Sequence, residues 1–439
     1  MCNEHLIDPQ DPSSRQLFQH VERLVSSQDK YHEQIGKRFV FTQKVRNQVN
    51  LPNKHTQKIT CETNKKDKNG NKIFYQFSIE SIELYLFETQ IGFLLFEVGY
   101  PPDVKIDDMI KINYYLKKVA SKEYSLFFEK RISKEERVEQ KVSLQEIASQ
   151  LLEPFSVDTY FEGERNNTSQ ALIFTAARLN SDSNDLSIPS YLFQLRRSFK
   201  STYKPSTYES DFANNPSLLS LFGNSFWGVS LEGVANIVTK TEDEDTEAFF
   251  RGQYFPILKG SYLYLYILAL HQKYAILYMS KEAAHLPYKL SKVEGDLVKQ
   301  NEIISNLRNK VIRFKLRSSY TAVSNNTHHA ELYECIRAQL RIKELFEDLD
   351  GELASLSALT EMAEQKQGEI EEKRKRDQSE RLNNKIQMIT LIFLPFTLVT
   401  GFFGMNNDFV KFFKHPVYLI AFAIMFYWIT KYLLDKKFK

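Results

Sequence analysis

The sequence predicts an α/β domain that leads through a long stalk helix into two C-terminal transmembrane helices. Residues 386–404 carry no formal charge, and residues 416–434 carry only Lys431. As a helix, each of these apolar segments would reach about 28 Å, which is close to the hydrocarbon thickness of a bilayer. The long polar part before them is large enough for one or two domains with cores of their own.

The composition indicates which kinds of partner and which cellular environment to expect. The 439 residues carry a formal net charge of +3 at pH 7, so the charge balance gives no sign of direct nucleic-acid binding. The three cysteines, Cys2, Cys61 and Cys335, are too few and too scattered for a disulfide framework or a metal site. This cysteine usage favours a reducing cytoplasm around the polar part.

The placement of the basic residues predicts the orientation in a membrane. Two groups flank the paired apolar segments: Lys373, Arg374, Lys375, Arg376, Arg381 and Lys385 before the first, and Lys431, Lys436, Lys437 and Lys439 at the end of the second. The connection between the segments has only Lys411 and Lys414. The positive-inside rule therefore predicts a multi-pass protein of the inner (plasma) membrane with cytoplasmic N- and C-termini. We expect no cleaved signal peptide, because the N-terminus has no charged segment followed by an apolar run.

Strand and helix patterns alternate in the first part of the chain. Asn69 and Gly70 indicate a hairpin turn, and apolar spacing predicts a helix over residues 103–120. The strand candidates, rich in aliphatic and aromatic residues, are 74–100 (two or three strands), 171–176 and 226–238. Together these patterns predict an α/β domain that ends near Glu247.

Helical spacing dominates the rest of the chain. Helices are predicted over 257–279 and 290–316, and a third begins after Thr327. The simplest interpretation is one helix from about His328 to Gly404, about 115 Å long. The predicted divisions are 1–247, the α/β domain; 248–385, the helical stalk; 386–404, the first transmembrane helix; 405–415, the outer loop; 416–434, the second transmembrane helix; and 435–439, a basic cytoplasmic tail.

A polar but mostly uncharged stripe runs along the first apolar segment. Its members are separated by three or four residues and so share one helix face: Asn383, Gln387, Thr390, Leu394, Thr397 and Gly401. Hydroxyls and amides that face lipid would lack partners, so the stripe is expected to face other helices or water. A pore lining and a polar seam between packed helices both fit this spacing.

The outer end of this segment carries the most specific pattern. It contains Leu394-Pro395-Phe396-Thr397 and then Gly401-Phe402-Phe403-Gly404-Met405-Asn406. A short loop, a second apolar segment and a basic tail follow, and a long helix leads in from an α/β domain. This arrangement resembles the CorA family of divalent cation channels. A Gly-Met-Asn tripeptide alone is a weak signal, and its position between two C-terminal spans makes it specific.

The resemblance implies a funnel-shaped homopentamer whose first spans line one pore. Gly404, Met405 and Asn406 would form the selectivity filter, with Asn406 as a ring of amides that holds a hydrated cation. The implied pore-lining residues are Glu380, Asn383, Gln387, Thr390, Leu394, Thr397 and Gly401, with Leu394 as an apolar gate. The lipid bilayer, other copies of the chain and divalent cations are the implied partners. No covalent cofactor is expected, and Mg²⁺ or another divalent cation would be the permeant or regulatory ion.

Two features depart from the family pattern. At the family's usual spacing the inner pore asparagine falls on Glu380, so the inner ring consists either of Glu380 or of Asn383 and Gln387. The family's outer loops tend to be acidic, whereas this loop carries Asp408, Lys411, Lys414 and His415. A less acidic mouth concentrates cations less strongly, so the identity of the ion stays open.

The resemblance also implies that cytoplasmic acidic residues sense Mg²⁺ and control opening. The candidates are Asp348, Asp350 and Glu352 on the long helix, and Glu242, Asp243, Glu244 and Asp245 in a loop. A solvated charged face is the simpler interpretation of both runs. His328, His329 and Glu331 offer metal-ligand chemistry as well, but a helix start exposed to water explains them more simply.

A second interpretation of function starts from the size of the cytoplasmic part, which is larger than compact members of the family need. Enlarged members of this kind occur in type III CRISPR antiviral defence, where a nucleotide second messenger such as the SAM-AMP conjugate is thought to gate the channel. Such a ligand would require aromatic stacking and guanidinium contacts. The candidate ligand-binding residues are Phe193, Arg196, Arg197, Phe199 and Tyr203.

Two further classes of function have little support. No Gly-rich phosphate loop, His-Glu-x-x-His motif or Cys-His nucleophile pattern occurs in the chain, so we expect no enzyme. A structural membrane anchor with a helical stalk would leave the polar stripe and Asn406 unexplained.

Overall fold

The computed structural model divides the chain into two compact units. It describes residues 2–4, 17–22, 35–49, 51, 58–119, 121–131, 137–155, 170–181, 187–200, 202–293, 296–405, 421, 424–425, 427–428 and 431–432. The first unit comprises Met1–Lys292 and Glu302–Ala354. The second comprises Val293–Asn301 and Ser355–Lys439.

A seven-stranded antiparallel sheet forms the N-terminal part of the first unit. Its strands are β1 (Cys2–Glu4), β2 (Gly36–Phe41), β3 (Ile59–Lys66), β4 (Lys72–Phe87), β5 (Gly92–Gly99), β6 (Tyr124–Arg131) and β7 (Arg137–Val142). They lie in the order β1-β2-β4-β3-β6-β7, and β5 pairs with the second half of β4. The strands predicted within 74–100 are thus confirmed as β4 and β5.

The hairpin turn predicted at Asn69 and Gly70 joins β3 to β4. The Asp67 carboxylate accepts hydrogen bonds from the backbone N–H groups of Asn69 and Asn71, each at 2.8 Å. Gly70 has φ of 81°, a conformation that glycine adopts without steric cost. The local sequence therefore determines this turn.

A second sheet has four strands and one parallel pair. Its strands are β8 (Ile173–Arg178), β9 (Leu218–Phe222), β10 (Ser225–Val229) and β11 (Gly233–Val238). They lie in the order β8-β11-β10-β9, with β8 parallel to β11. The strand candidates 171–176 and 226–238 are confirmed, and the second of them is a hairpin of β10 and β11.

Twelve α-helices are assigned within the described residues. They are α1 (Gln19–Glu22), α2 (Gln43–Gln48), α3 (Ile106–Lys117), α4 (Leu144–Leu152), α5 (Ile188–Arg197), α6 (Glu244–Gly252), α7 (Tyr254–Ile257), α8 (Leu263–Ala284), α9 (Leu286–Ser291), α10 (Leu297–Ser318), α11 (Thr327–Gln339) and α12 (Ile342–Met405). The boundary predicted near Glu247 falls inside α6, and the first compact unit continues beyond it.

Helix α3 connects the cores of the two sheets. Ile112, Tyr115 and Leu116 pack into the core of the seven-stranded sheet. Met109 and Ile110, on its other side, pack with α5 and the four-stranded sheet. The broad apolar face predicted over 103–120 is therefore shared between two hydrophobic clusters, which explains its width.

The single helix predicted from about His328 is wrong in one respect, because two helices occupy this stretch. Helix α11 ends at Gln339, and α12 begins at Ile342. Between them Arg341 has φ of 57°, a left-handed conformation that ends a helix. The break places Leu340 and Ile342 in buried positions on either side of it. Helix α12 still has 64 residues, a length of about 95 Å.

Helix α8 is buried on most of its surface and carries a fully buried histidine, His271. The imidazole stacks on Phe87 with ring centroids 3.9 Å apart, and its Nε2 lies 2.9 Å from Thr89 Oγ1. Burial lowers the pKa of His271 from 6.5 to about 3, because the cationic ring would lose its hydration. The side chain is therefore neutral in the folded protein at physiological pH.

We expect acid to destabilise the first unit through His271. Below pH 6.5 the unfolded chain binds a proton at this ring, and the folded chain binds it only near pH 3. The contribution of the neutral ring is complete above pH 6.5 and falls by about 2 kcal/mol at pH 5. Unfolding of the full chain in detergent at pH 7 and pH 5 measures this loss. His271→Gln should reduce the difference between the two pH values, whereas His285→Gln, at an exposed position, should keep it. An unreduced difference in His271→Gln would contradict this assignment.

Candidate functional site

The candidate site lies on α12, in the part of the helix that belongs to the second compact unit. The helix runs without interruption through Pro395 to Met405. Proline has no N–H group, so the carbonyl of Leu391 receives no helical hydrogen bond from position 395. A helix that continues past a proline has one carbonyl free to interact with water or a neighbouring helix.

The structure places the predicted stripe on one exposed face of α12. All of its members are exposed in the isolated chain: Asn383, Gln387, Thr390, Leu394, Thr397 and Gly401. Glu380, the further pore-lining residue that the resemblance implies, is exposed as well. Leu394, the predicted gate, has 55% of its surface exposed. A Cβ atom added at Gly401 would meet no atom within 4 Å. Within the described part of the chain, this face is therefore open for contact with water, lipid or other copies.

The threonine hydroxyls of the stripe are satisfied within the helix. Thr390 Oγ1 donates to the Ile386 carbonyl at 2.8 Å, and Thr397 Oγ1 donates to the Phe393 carbonyl at 2.7 Å. The expectation that these hydroxyls need partners outside the helix is therefore wrong for their donor function. Each oxygen keeps a lone pair that can accept a hydrogen bond, for example from the water shell of a cation.

The helix ends where the Gly-Met-Asn tripeptide begins. Gly404 and Met405 are the last two residues of α12. Asn406 lies outside the described residues, as do the outer-loop residues Asp408, Lys411, Lys414 and His415 and the tail 435–439. The described residues of 416–434 are 421, 424–425, 427–428 and 431–432. The roles predicted for Gly404, Met405 and Asn406 remain predictions.

Within the part of the chain that the structure describes, no helix meets the length and hydropathy criteria for a membrane span.

The basic residues before position 386 lie on the exposed surface of α12. Lys373, Arg374, Lys375, Arg376, Arg381 and Lys385 are all exposed. Arg376 donates to the Glu372 carboxylate at 2.7 Å, one turn earlier, and such exposed pairs contribute little to stability. Glu380, the departure from the family pattern, lies on the same exposed stretch.

The acidic residues proposed as sensors lie in two settings. Asp348, Asp350 and Glu352 are exposed on α12, and Asp350 accepts a hydrogen bond from Lys315 on α10 at 2.6 Å. In the run 242–245, Asp243 caps α6 by accepting from the Thr246 N–H at 2.8 Å. Hydrogen bonds from the side chain and then the backbone of Thr246 lower the pKa of Asp243. No group of three or more potential metal ligands occurs among the described residues.

The water-exposed helix start predicted at His328 and His329 is wrong for His329. That ring is fully buried and meets Tyr262 edge to face, with centroids 4.8 Å apart. Burial also lowers the pKa of the half-buried His328. This segment packs against the π-helical turn at Leu258–Tyr262, so it belongs to the core of the first unit.

The five residues proposed for a nucleotide ligand lie close together, but they do not share one environment. Phe193, Phe199 and Tyr203 form a chain of ring contacts at 6.0 and 5.8 Å, and Arg197 lies 5.1 Å from the Phe193 ring. Arg196 is fully buried, and its guanidinium bonds to Ser217, Val229 and Glu209. Arg196 thus holds the fold together. The accessible members of this group are the half-buried Arg197 and Phe199 and the exposed Tyr203.

Sequence reasoning missed the contacts made by the β4–β5 turn. Glu88, Thr89 and Gln90 each bond to side chains of α8 or α10. The only local signal is that these polar residues separate two apolar strands, which predicts a turn and says nothing of its partners.

The C-terminal part of the chain is similar to one known family. Residues 291–434 match the family model described as CorA-like Mg2+ transporter protein. This segment includes α10, α11, α12, the stripe, the Gly-Met-Asn tripeptide and the second apolar segment. No curated protein and no solved structure matches the chain.

Proposed function

We propose, because residues 291–434 are CorA-like, that this chain conducts divalent cations across a membrane, with Mg²⁺ as the first candidate. The exposed stripe on α12 carries the proposal. In it, polar uncharged residues follow one helix face and lead to Gly404, Met405 and Asn406. A cation path needs such a face, as does a polar seam between packed helices, and the match of residues 291–434 to a transporter family favours the path.

The proposed membrane arrangement has two spans, 386–404 and 416–434, with both termini in the cytoplasm. The length of the two segments and their lack of charge apart from Lys431 support the spans. The excess of lysine and arginine at the two proposed cytoplasmic ends supports the orientation. Several copies must surround one pore, because a single polar stripe cannot enclose an ion path. Five copies are the number that the family resemblance implies.

The proposed mechanism selects a hydrated ion. Mg²⁺ gives up its water shell reluctantly, so neutral oxygens that accept hydrogen bonds from that shell can recognise the ion with its water. Asn406 would supply such oxygens at the outer mouth, and the lone pairs of Thr390 and Thr397 would continue them inward. Leu394 would form an apolar constriction that stops conduction when it loses its water.

Glu380 and the basic stretch 373–385 lie at the proposed cytoplasmic end. A ring of Glu380 carboxylates would attract cations, and the neighbouring arginines and lysines would oppose them over distances within the Debye length of about 8 Å. The proposal assigns the inner ring to Glu380 or to Asn383 and Gln387, and substitution of each with flux as the readout decides between them.

A bulky side chain on the stripe should block conduction. Because a Cβ at Gly401 meets nothing within 4 Å in the single chain, Gly401→Leu should fold normally and act only where copies converge on the pore. We expect Mg²⁺ flux into liposomes to fall by roughly tenfold, a barrier increase of about 1.4 kcal/mol.

The matched control is Val399→Leu, since position 399 lies on the opposite side of the helix from the stripe. This variant should conduct like the wild type. Equal flux in Gly401→Leu and the wild type would contradict a pore lined by this face. Equal loss in both variants would point to a packing effect instead.

A further inference from the structure

Every residue of the β4–β5 turn from Phe87 to Gln90 contacts either helix α8 or helix α10. Phe87 stacks on His271, and Thr89 Oγ1 lies 2.9 Å from His271 Nε2. Glu88 accepts hydrogen bonds from Arg317 at 2.8 Å and from Arg313 at 3.3 Å. A hairpin turn at the surface ordinarily faces water. These contacts therefore indicate that the turn packs specifically against α8 and α10, and we call this packing contact the joint.

The backbone of the turn is adapted to these contacts. Gln90 has φ of 67°, a left-handed conformation that costs free energy for a residue with a side chain. Its Oε1 accepts a hydrogen bond from the Tyr278 hydroxyl of α8 at 2.8 Å. Glycine would adopt this backbone conformation at lower cost and would lack the side chain that bonds to Tyr278. Glutamine at this position thus provides the contact between the turn and α8, at the cost of a less favourable backbone conformation.

A chain of contacts continues from the joint to the start of α12. His271 meets the edge of Phe314 on α10, with centroids 5.7 Å apart. Phe314 stacks on Phe346 of α12 at 5.7 Å, and Lys315 bonds to Asp350 of α12 at 2.6 Å. All of these residues belong to the first compact unit. Helix α12 itself then continues to Met405.

We infer that the β4–β5 turn is the joint through which the seven-stranded sheet acts on the pore-lining helix α12. This inference rests on the proposed function, because it gives the sheet a role in opening or closing the conduction path. A shift of the sheet moves Glu88 and Thr89, which displaces α10 and α8, and Phe314 and Lys315 pass that displacement to the first turns of α12. The contacts are discrete ion pairs and ring stacks, which have distinct made and broken states.

The test reverses the charges of the ion pair in the full chain, with ion flux and hydrogen exchange as readouts. Glu88→Arg places three positive charges together and should open the joint, and Arg317→Glu should do the same. We expect hydrogen exchange in residues 310–318 and 342–350 to rise, and Mg²⁺ flux into liposomes to change by roughly threefold or more. The double variant Glu88→Arg/Arg317→Glu restores an ion pair and should return both readouts toward the wild type.

A milder variant and a matched control keep the test decisive. Thr89→Val removes only the hydroxyl that bonds to His271 and should give a smaller change of the same kind. Glu282→Gln removes the ion pair with Lys310, which also joins α8 to α10 with a 3.0 Å contact but does not involve the turn. This control should leave flux and the exchange of 342–350 unchanged.

Two results would contradict the proposed role of the joint. One is an exchange increase confined to residues 87–91, and the other is unchanged flux in a folded Glu88→Arg variant of a conducting protein. If the wild type passes no divalent cation, the proposed function fails. The exchange of residues 342–350 then decides alone whether the turn is coupled to α12.

Discussion

Replacing Asn406 by alanine is expected to reduce the preference for Mg²⁺ over Na⁺ by roughly tenfold or more, or to abolish Mg²⁺ flux altogether. The amide oxygen is the group proposed to accept hydrogen bonds from the water shell of the ion, and alanine offers no acceptor there. In an oligomer one substitution removes a whole ring of amides, so the loss is multiplied. Liposome flux with Mg²⁺ and Na⁺ in competition measures the preference.

The neighbouring residue provides the control for this substitution. Asn407→Ala removes the same chemical group one residue further along the chain. We expect this variant to keep the wild-type preference, because the family pattern assigns the ring to Asn406 alone. Unaltered selectivity in Asn406→Ala would defeat the selectivity-ring proposal, even if the protein conducts.

Substitution of Arg196 is expected to cause a large loss of stability. Its guanidinium is fully buried and donates to the carbonyls of Ser217 and Val229 at 3.1 and 3.0 Å and to Glu209. Burial lowers the pKa of this arginine, and Glu209 opposes that shift. Arg196→Met should fill much of the space, but the carbonyls of Ser217 and Val229 and the Glu209 carboxylate would each lose a buried donor. Arg197 would remain as a partner of Glu209, and the Val229 N–H as a donor to the Ser217 carbonyl. We expect the free energy of unfolding to fall by about 3–5 kcal/mol.

Arg197 is the matched control, since it pairs with the same carboxylate at 2.6 Å but is partly exposed. Arg197→Met should cost about 1 kcal/mol or less, as exposed ion pairs usually do. Urea unfolding of the full chain in detergent, followed by the fluorescence of the buried Trp227, measures both variants. Similar losses in the two variants would mean that burial does not set the importance of Arg196.

The elements that the sequence predicted well are those with strong periodicity. Residues 74–100 show long apolar runs and became β4 and β5, and the 3.6-residue spacing of 103–120 became α3. Strands β2 and β7 were not predicted, because GKRFVF is short and begins with glycine and two charged residues, and RVEQKV is short and largely polar. Their strand conformation depends on pairing with β4 and β6, which local sequence does not reveal.

The break between α11 and α12 was missed for a related reason. Arg341 carries no signal for a left-handed conformation, and no glycine or proline occurs beside it. The conformation is imposed by burial of Leu340 and Ile342, which is a tertiary effect. Sequence spacing therefore predicted a long helix that ends near Gly404 but not its starting residue.

In the candidate site, too, local sequence predicted some features, and others depend on tertiary contacts. Spacing by three and four residues placed Thr390, Leu394 and Thr397 on one helix face, since this depends only on helix geometry. The back-bonds of the two threonines and the contacts of Glu88 required coordinates. Glu88 and Arg317 are 229 residues apart in the chain, and no pattern in one sequence links them.

The proposed function requires that this chain forms a path for divalent cations. The most direct measurement is Mg²⁺ entry into sealed liposomes that contain the purified full chain, followed by a Mg²⁺-sensitive dye inside. We expect entry well above that of protein-free liposomes and a strong reduction in Gly401→Leu. Entry equal to that of protein-free liposomes for Mg²⁺, Co²⁺ and Ni²⁺ alike, with the protein fully incorporated, would contradict it.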